Sequence, residues 1–172
     1  QLQDLATPNG LRAYDISQTT EELQLQGTAM DERLEYVVGG YYQRIAPEGE
    51  QGQQIVAFYL VQPAAQYEVT QESWAPYAQA TYDLGGLSPS LDGFNVTAGV
   101  RYTSDDIDGF SESGAAPHSQ KLGYQEPTYT VGLDYRIGEH LLYGKVGRGY
   151  KAGGFSTVAV TPENFTYDPE YV

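Results

Sequence analysis

Cysteine is absent from this chain of 172 residues, and bases are scarce, with 9 Lys and Arg against 23 Asp and Glu. Without thiols there is no disulfide framework and no thiolate metal site. A net charge of −14 repels polyanions and leaves no basic stripe to displace counterions from phosphates, so no nucleic-acid partner is expected. No apolar run approaches the ~18 residues of a membrane helix. Helix-type periodicity is almost missing. Gln1–Leu5 has neither the basic start nor the apolar core of a signal peptide. That is expected of a chain whose leader was removed, or of a piece of a longer protein.

What is present is alternation. In Phe94–Thr103 one face reads Phe94, Val96, Ala98, Val100 and Tyr102, and the other Asn95, Thr97, Gly99, Arg101 and Thr103. A period of two is a strand with different surroundings on its two sides. The same pattern predicts strands over 17–29, 34–44, 72–84, 128–137 and 141–151. A further apolar stretch, 55–62, reads as an additional strand, for a total of six or seven. Pro76 must sit where the ladder needs no donor. Most segments are close to the length of a tilted bilayer-crossing strand, about nine to eleven residues.

The connections sort by length. Short ones are expected at 30–33, 85–93 and 138–140, long ones at 45–54, 63–71, 105–127 and from 153 onward. Transmembrane barrels have short periplasmic turns and long outer loops. The stretches 45–71, 105–127 and 153–172 hold eleven acids and a single base, Lys121. The polar faces carry Glu22, Asp83, Arg101, Asp134, Arg136 and Lys145, too many charges for a narrow packed interior and acceptable in a wide aqueous or plugged lumen. Sixteen tyrosines suit a boundary between apolar and wet regions. Tyr36, Tyr42, Trp74, Tyr82, Tyr102, Tyr135 and Tyr150 are assigned to aromatic girdles. The fold class expected is therefore all-β, an antiparallel transmembrane β-barrel meander. A passive porin or adhesin-type barrel, and a soluble β-sandwich or lipocalin-like binding domain, are the alternatives.

Three stretches, ESWAPYAQATYDL at 72–84, FNVTAGVRYTS at 94–104 and TYTVGLDYRIGEHLLYGKVGRGYKAGGF at 128–155, together resemble the barrel of TonB-dependent outer-membrane receptors. QTTEELQLQG at 18–27 is similar to an earlier strand of that barrel, and YDPEYV at 167–172 to the lead into a later one. The resemblance implies a barrel of about twenty-two strands around a plug, located in the outer membrane and importing nutrients such as ferric siderophores with energy relayed by TonB. The siderophore-iron class is the leading expectation, and the choice among it, haem, cobalamin, a nickel chelate or carbohydrate depends mostly on the plug and loops. Residues 1–172 hold no recognisable plug and too few strands to close, and so read as part of the wall. Its partners would be outer-membrane lipid and lipopolysaccharide, the plug, TonB and a small-molecule cargo; no cofactor is expected.

Register assigns Tyr41, Tyr77, Arg101, Asp134, Arg136 and Lys145 to the lumen, and Val96, Val100, Val131 and Leu133 to lipid. Tyr41 and Tyr77 are the better candidates for touching cargo or plug, while the charges are expected mainly to hold the plug. Arg148 falls on the apolar side and is expected to snorkel toward headgroups or to mark a bulge. Ser104-Asp105-Asp106-Ile107-Asp108-Gly109 has the outline of a calcium loop, but the twelfth position is Ala115 where Glu is needed. A solvated acidic loop is the expectation. His118 and His140 have no ligand partner at metal spacing, and Gly144–Gly149 lacks the order of a nucleotide-binding fingerprint. No nucleophile–base pair or carboxylate dyad is identifiable, so no enzyme is expected.

Overall fold

The computed structural model describes residues 15–48, 52–53, 56–57, 60–61, 65–112, 117–156 and 165–172. Its strands are β1 (Ile16–Ala29), β2 (Leu34–Pro47), β3 (Gly52–Gln53), β4 (Val56–Ala57), β5 (Leu60–Val61), β6 (Ala65–Asp83), β7 (Phe94–Glu112), β8 (His118–Ile137), β9 (His140–Arg148), β10 (Tyr150–Lys151), β11 (Gly154–Phe155), β12 (Thr166–Tyr167) and β13 (Glu170–Tyr171). The six long strands form one antiparallel meander in the order β1-β2-β6-β7-β8-β9, with β3 added beside β6. Each pairs with its neighbour in sequence among the long strands, as in an up-and-down barrel wall.

Register is continuous across the sheet. Leu34 faces Tyr82, Tyr82 faces Val96, Val96 faces Leu133, and Leu133 faces Gly144. Because the side-chain period is two, this fixes which residues of different strands share a face. The β6–β7 ladder runs from Gln66↔Glu112 to Asp83↔Asn95 but omits Ala75 and Pro76. The proline thus occupies the gap its missing donor requires.

The turn at 30–33 links β1 to β2 through Met30, Asp31 and Glu32, all with φ between 56° and 66°. This left-handed run reverses the chain in a small space. Two short 3-10 turns, Leu84–Gly86 and Pro89–Leu91, fill the β6–β7 connection. The Asp83 carboxylate accepts from the Gly85 N–H and the Ser88 hydroxyl from the Ser90 N–H, so these turns cap themselves. All three short connections lie at one end of the sheet, here called the turn end.

Two expectations are corrected. Residues 63–71 and 105–127 are not loops throughout: β6, β7 and β8 continue through much of them and reach 19, 19 and 20 residues. At about 3.3 Å per residue such strands are roughly 60 Å long, near twice what a bilayer needs. Within 55–62, only Val56–Ala57 and Leu60–Val61 are described, and they pair with each other rather than joining the meander. These two short strands lie in the connection between β2 and β6, which pair directly with each other.

Candidate functional site

The chemistry resides in two faces, and their character exchanges along the strands. In the half nearest the turns, one face carries Tyr82, Ala80, Ala78 and Trp74 of β6, Phe94, Val96, Ala98, Val100 and Tyr102 of β7, and Tyr135, Leu133, Val131 and Tyr129 of β8. These side chains are not packed into a core. Val100 is 62% exposed, Leu133 48% and Trp74 48%, and on the same face Leu142 of β9 is 68% exposed and Leu23 of β1 82%. Aromatic rings bound this band. Phe94 and Tyr135 stack at 3.9 Å near the turn end, and Trp74 and Tyr102 lie 5.9 Å apart at the other. Trp74 and Tyr82 are eight residues apart, about 26 Å along the strand, which suits the ~25 Å apolar belt between aromatic girdles of a transmembrane barrel.

The opposite face of this half is polar. The Tyr77 hydroxyl donates to Glu22 at 2.6 Å and to Gln24 at 3.4 Å. The Arg101 guanidinium sits 5.2 Å from the centre of the Tyr41 ring. Asn95 donates to the Asp134 carboxylate at 2.9 Å, and the Thr81 and Thr97 hydroxyls are 2.9 Å apart. Register therefore brings Tyr41, Tyr77, Arg101, Asp134, Arg136 and Lys145 to one face, and Val96, Val100, Val131 and Leu133 to the other. Tyr41, Tyr77 and Arg101 form one neighbourhood. Gly39 makes room for it: a Cβ there would lie 2.6 Å from the Tyr77 ring and 2.8 Å from the Leu23 carbonyl oxygen.

Beyond Trp74 and Tyr102 the pattern inverts without a break in register. Glu72, Asp106, Asp108 and Lys121 now occupy the face that was apolar, and Lys121 pairs with Asp108 at 2.8 Å. Val69, Ile107, Leu122 and Tyr124 occupy the face that was polar; Phe110, on the charged side, is an exception. The small core is built there, with Ile107, Phe155 and Phe165 buried and Val69, Leu122, Tyr124 and Ala152 against them.

This geometry removes the calcium-loop outline. Ser104 to Gly109 is strand, so successive side chains point to opposite faces and cannot wrap one cation. Among the described residues no cluster of three or more His, Asp or Glu side chains suits a metal ion. Tyr150 is also reassigned. Its hydroxyl donates to Asp105 at 3.1 Å on the core side of the sheet, so it belongs to no girdle. Arg148 ends β9 and pairs with Glu126 at 3.0 Å. Gly149 then leaves the β8–β9 ladder.

The buried Asp105, Ile107, Phe155 and Phe165 were missed as site residues by the sequence reading. For Asp105 and Ile107 the signal was available as a change of phase: apolar residues fall on even positions up to Tyr102, and on the odd position at Ile107.

The profile described as "TonB dependent receptor-like, beta-barrel" matches residues 3–172. The chain belongs to the TonB-dependent receptor β-barrel family. These barrels are outer-membrane proteins of Gram-negative bacteria and form non-enzymatic transporters. The fold is similar to that of the ferric yersiniabactin uptake receptor FyuA from Yersinia pestis, with a TM-score of 0.68 and 18% identity over 91% of this chain. The chain spans 24% of that receptor's length. Comparison with curated proteins gives no match.

Proposed function

We propose that this chain is a wall segment of a TonB-energised importer that carries a scarce nutrient, of the ferric-siderophore class, across the outer membrane. The supporting observation is the exchange of faces within unbroken strands. A strand leaving lipid for water must move its apolar side chains from the outer surface to an inner one, and β6, β7 and β8 do this just past Trp74 and Tyr102. On this reading Val96, Val100, Val131 and Leu133 meet lipid. Tyr41, Tyr77, Arg101, Asp134, Arg136 and Lys145 face the lumen, where they meet the plug and, at Tyr41 and Tyr77, passing cargo. The short turns lie in the periplasm. The far ends of β6, β7 and β8 stand outside the cell, with Asp106, Asp108 and Glu72 toward the lipopolysaccharide surface.

The siderophore class rests on two supports, the family and the resemblance of the fold to that of a ferric yersiniabactin uptake receptor. The test is uptake of radiolabelled iron, supplied as ferric siderophores of several chemical classes, by cells expressing the complete receptor with and without TonB. Accumulation that disappears without TonB is the expected result. Accumulation independent of TonB would replace the importer with a passive porin, and TonB-dependent uptake of another nutrient alone would correct the cargo.

A further inference from the structure

We propose that residues 150–156 and 165–172 form a strap fixed against the inner side of the strand extensions, a standing part of the outer entrance rather than a lid that closes on arriving cargo. The inference rests on the lumen assignment above and deepens it. The strap is a two-ply ribbon: Tyr150 and Lys151 pair with Tyr171 and Glu170, and Gly154 and Phe155 pair with Tyr167 and Thr166. Backbone bonds join Gly149 to Val172 in both directions, at 2.8 and 3.2 Å, and the Ser156 N–H donates to the Phe165 carbonyl at 2.8 Å.

Three kinds of contact hold this ribbon to the wall. The first is apolar. The Phe155 and Phe165 rings, 4.8 Å apart, close over Ile107, which is 3% exposed. Gly109 leaves the space for Phe155, since a Cβ at that position would come within 2.6 Å of its ring. The second is a buried carboxylate. Asp105, 4% exposed, accepts from the Tyr150 hydroxyl on the strap and from the Ser73 hydroxyl on β6. Stripping Asp105 of the strap donor would leave a buried carboxylate short of a partner. The third lies at the rim, where the Tyr171 hydroxyl donates to Glu126 at 2.7 Å. Arg148 binds the same carboxylate at 3.0 Å and stands 4.8 Å over the Tyr171 ring.

Every one of these wall residues, Ser73, Asp105, Ile107, Gly109 and Glu126, lies on the face that continues the polar side nearer the turns. The strap therefore occupies the lumen side, and its anchors combine a desolvated aromatic cluster with charge-assisted hydrogen bonds. Loops that open and close are drawn from regions with few buried apolar contacts, and this ribbon has the only buried apolar cluster among the described residues.

The experiment is a pulsed-EPR distance measurement on the complete receptor in outer membranes, with labels at the exposed positions Ser119→Cys on β8 and Val172→Cys on the strap. A single narrow distance is expected in the unliganded receptor. Its loss is expected in Tyr150→Phe combined with Phe155→Ser, with barrel assembly checked independently by the heat-dependent gel shift. Tyr150→Phe alone, which removes one hydroxyl, serves if the double variant fails to assemble, and is expected to add a second, longer distance. A broad distribution in the wild-type strap overturns the proposal, as does a narrow one retained in whichever variant assembles. The distance reads strap position whether or not TonB-dependent uptake is found, so failure here and failure of the import reading remain distinct.

Discussion

Tyr150 shows how much one side chain can depend on its surroundings. Burial, followed by the nearby Asp105 carboxylate and its hydrogen bond, raises the phenol well above its ordinary range. The docked strap thus prefers the neutral phenol. A group whose folded pKa is raised contributes its stabilisation below the unfolded value, so strap docking is at full strength below about pH 10 and weakens as pH climbs above it. Phenolate absorbance during alkaline titration should lose one late-ionising tyrosine in Tyr150→Phe. An unchanged titration curve in that variant would remove the buried phenol from the account. Phe155→Ala should cost strap docking about 3–5 kcal/mol, the usual range for emptying a buried aromatic site. Hydrogen exchange at Gly154 and Thr166 would report it, with protection unchanged if the ring were only resting on the surface.

At the scale of the strand, polarity matters by face rather than by residue. Val100→Lys places a charge on the exposed apolar face near the middle of β7 and should destabilise the assembled barrel by about 2–4 kcal/mol. Thr97→Lys, three residues away on the opposite face, should change stability little. Equilibrium unfolding of the complete receptor from lipid vesicles separates the two, and equal effects would contradict the two-solvent wall. Spin labels should agree. Val96, Val131 and Leu133 are expected to give lipid-accessible signals and Thr97, Arg101 and Asp134 water-accessible ones, and water accessibility at the first three would reverse the faces. Gly39→Val tests packing on the polar face, since the Tyr77 ring and the Leu23 carbonyl leave a side chain no room. Reduced assembly is expected there, whereas Gly40, which has open space where a Cβ would stand, should accept alanine.

For the molecule as a whole, six strands cannot close on themselves, since even small barrels use eight. Among the described residues the meander has two outer strands, β1 and β9, and in a lipid environment their outward donors and acceptors need neighbours. Residues 1–172 alone, refolded into vesicles, should therefore fail to give the protease-resistant, heat-modifiable form of a complete barrel. Recovery of such a form would show that this sheet closes by association with further copies.

Much of this was legible in the residues themselves. Alternation from Phe94 to Tyr102 and from Tyr129 to Tyr135 gave strand, face and register, because each face meets one kind of surroundings over its whole span. Pro76 likewise announced its gap in the ladder. The reading of 105–127 as loop failed for the same physical reason that made the rest succeed. Past Trp74 and Tyr102 the apolar phase shifts by one residue and acidic side chains dominate the formerly apolar face, as the proposed passage from lipid to water requires, and a continuing strand looks like the end of one. What lies over the shifted face was decided only in three dimensions. Phe155 and Phe165 are far in sequence from Val69 and separated from Ile107 by the whole β8–β9 hairpin. Hydrophobic burial has no sequence range, and the path of the chain beyond the end of β9, rather than any local motif, brings those rings onto Ile107 and the Tyr150 phenol onto Asp105.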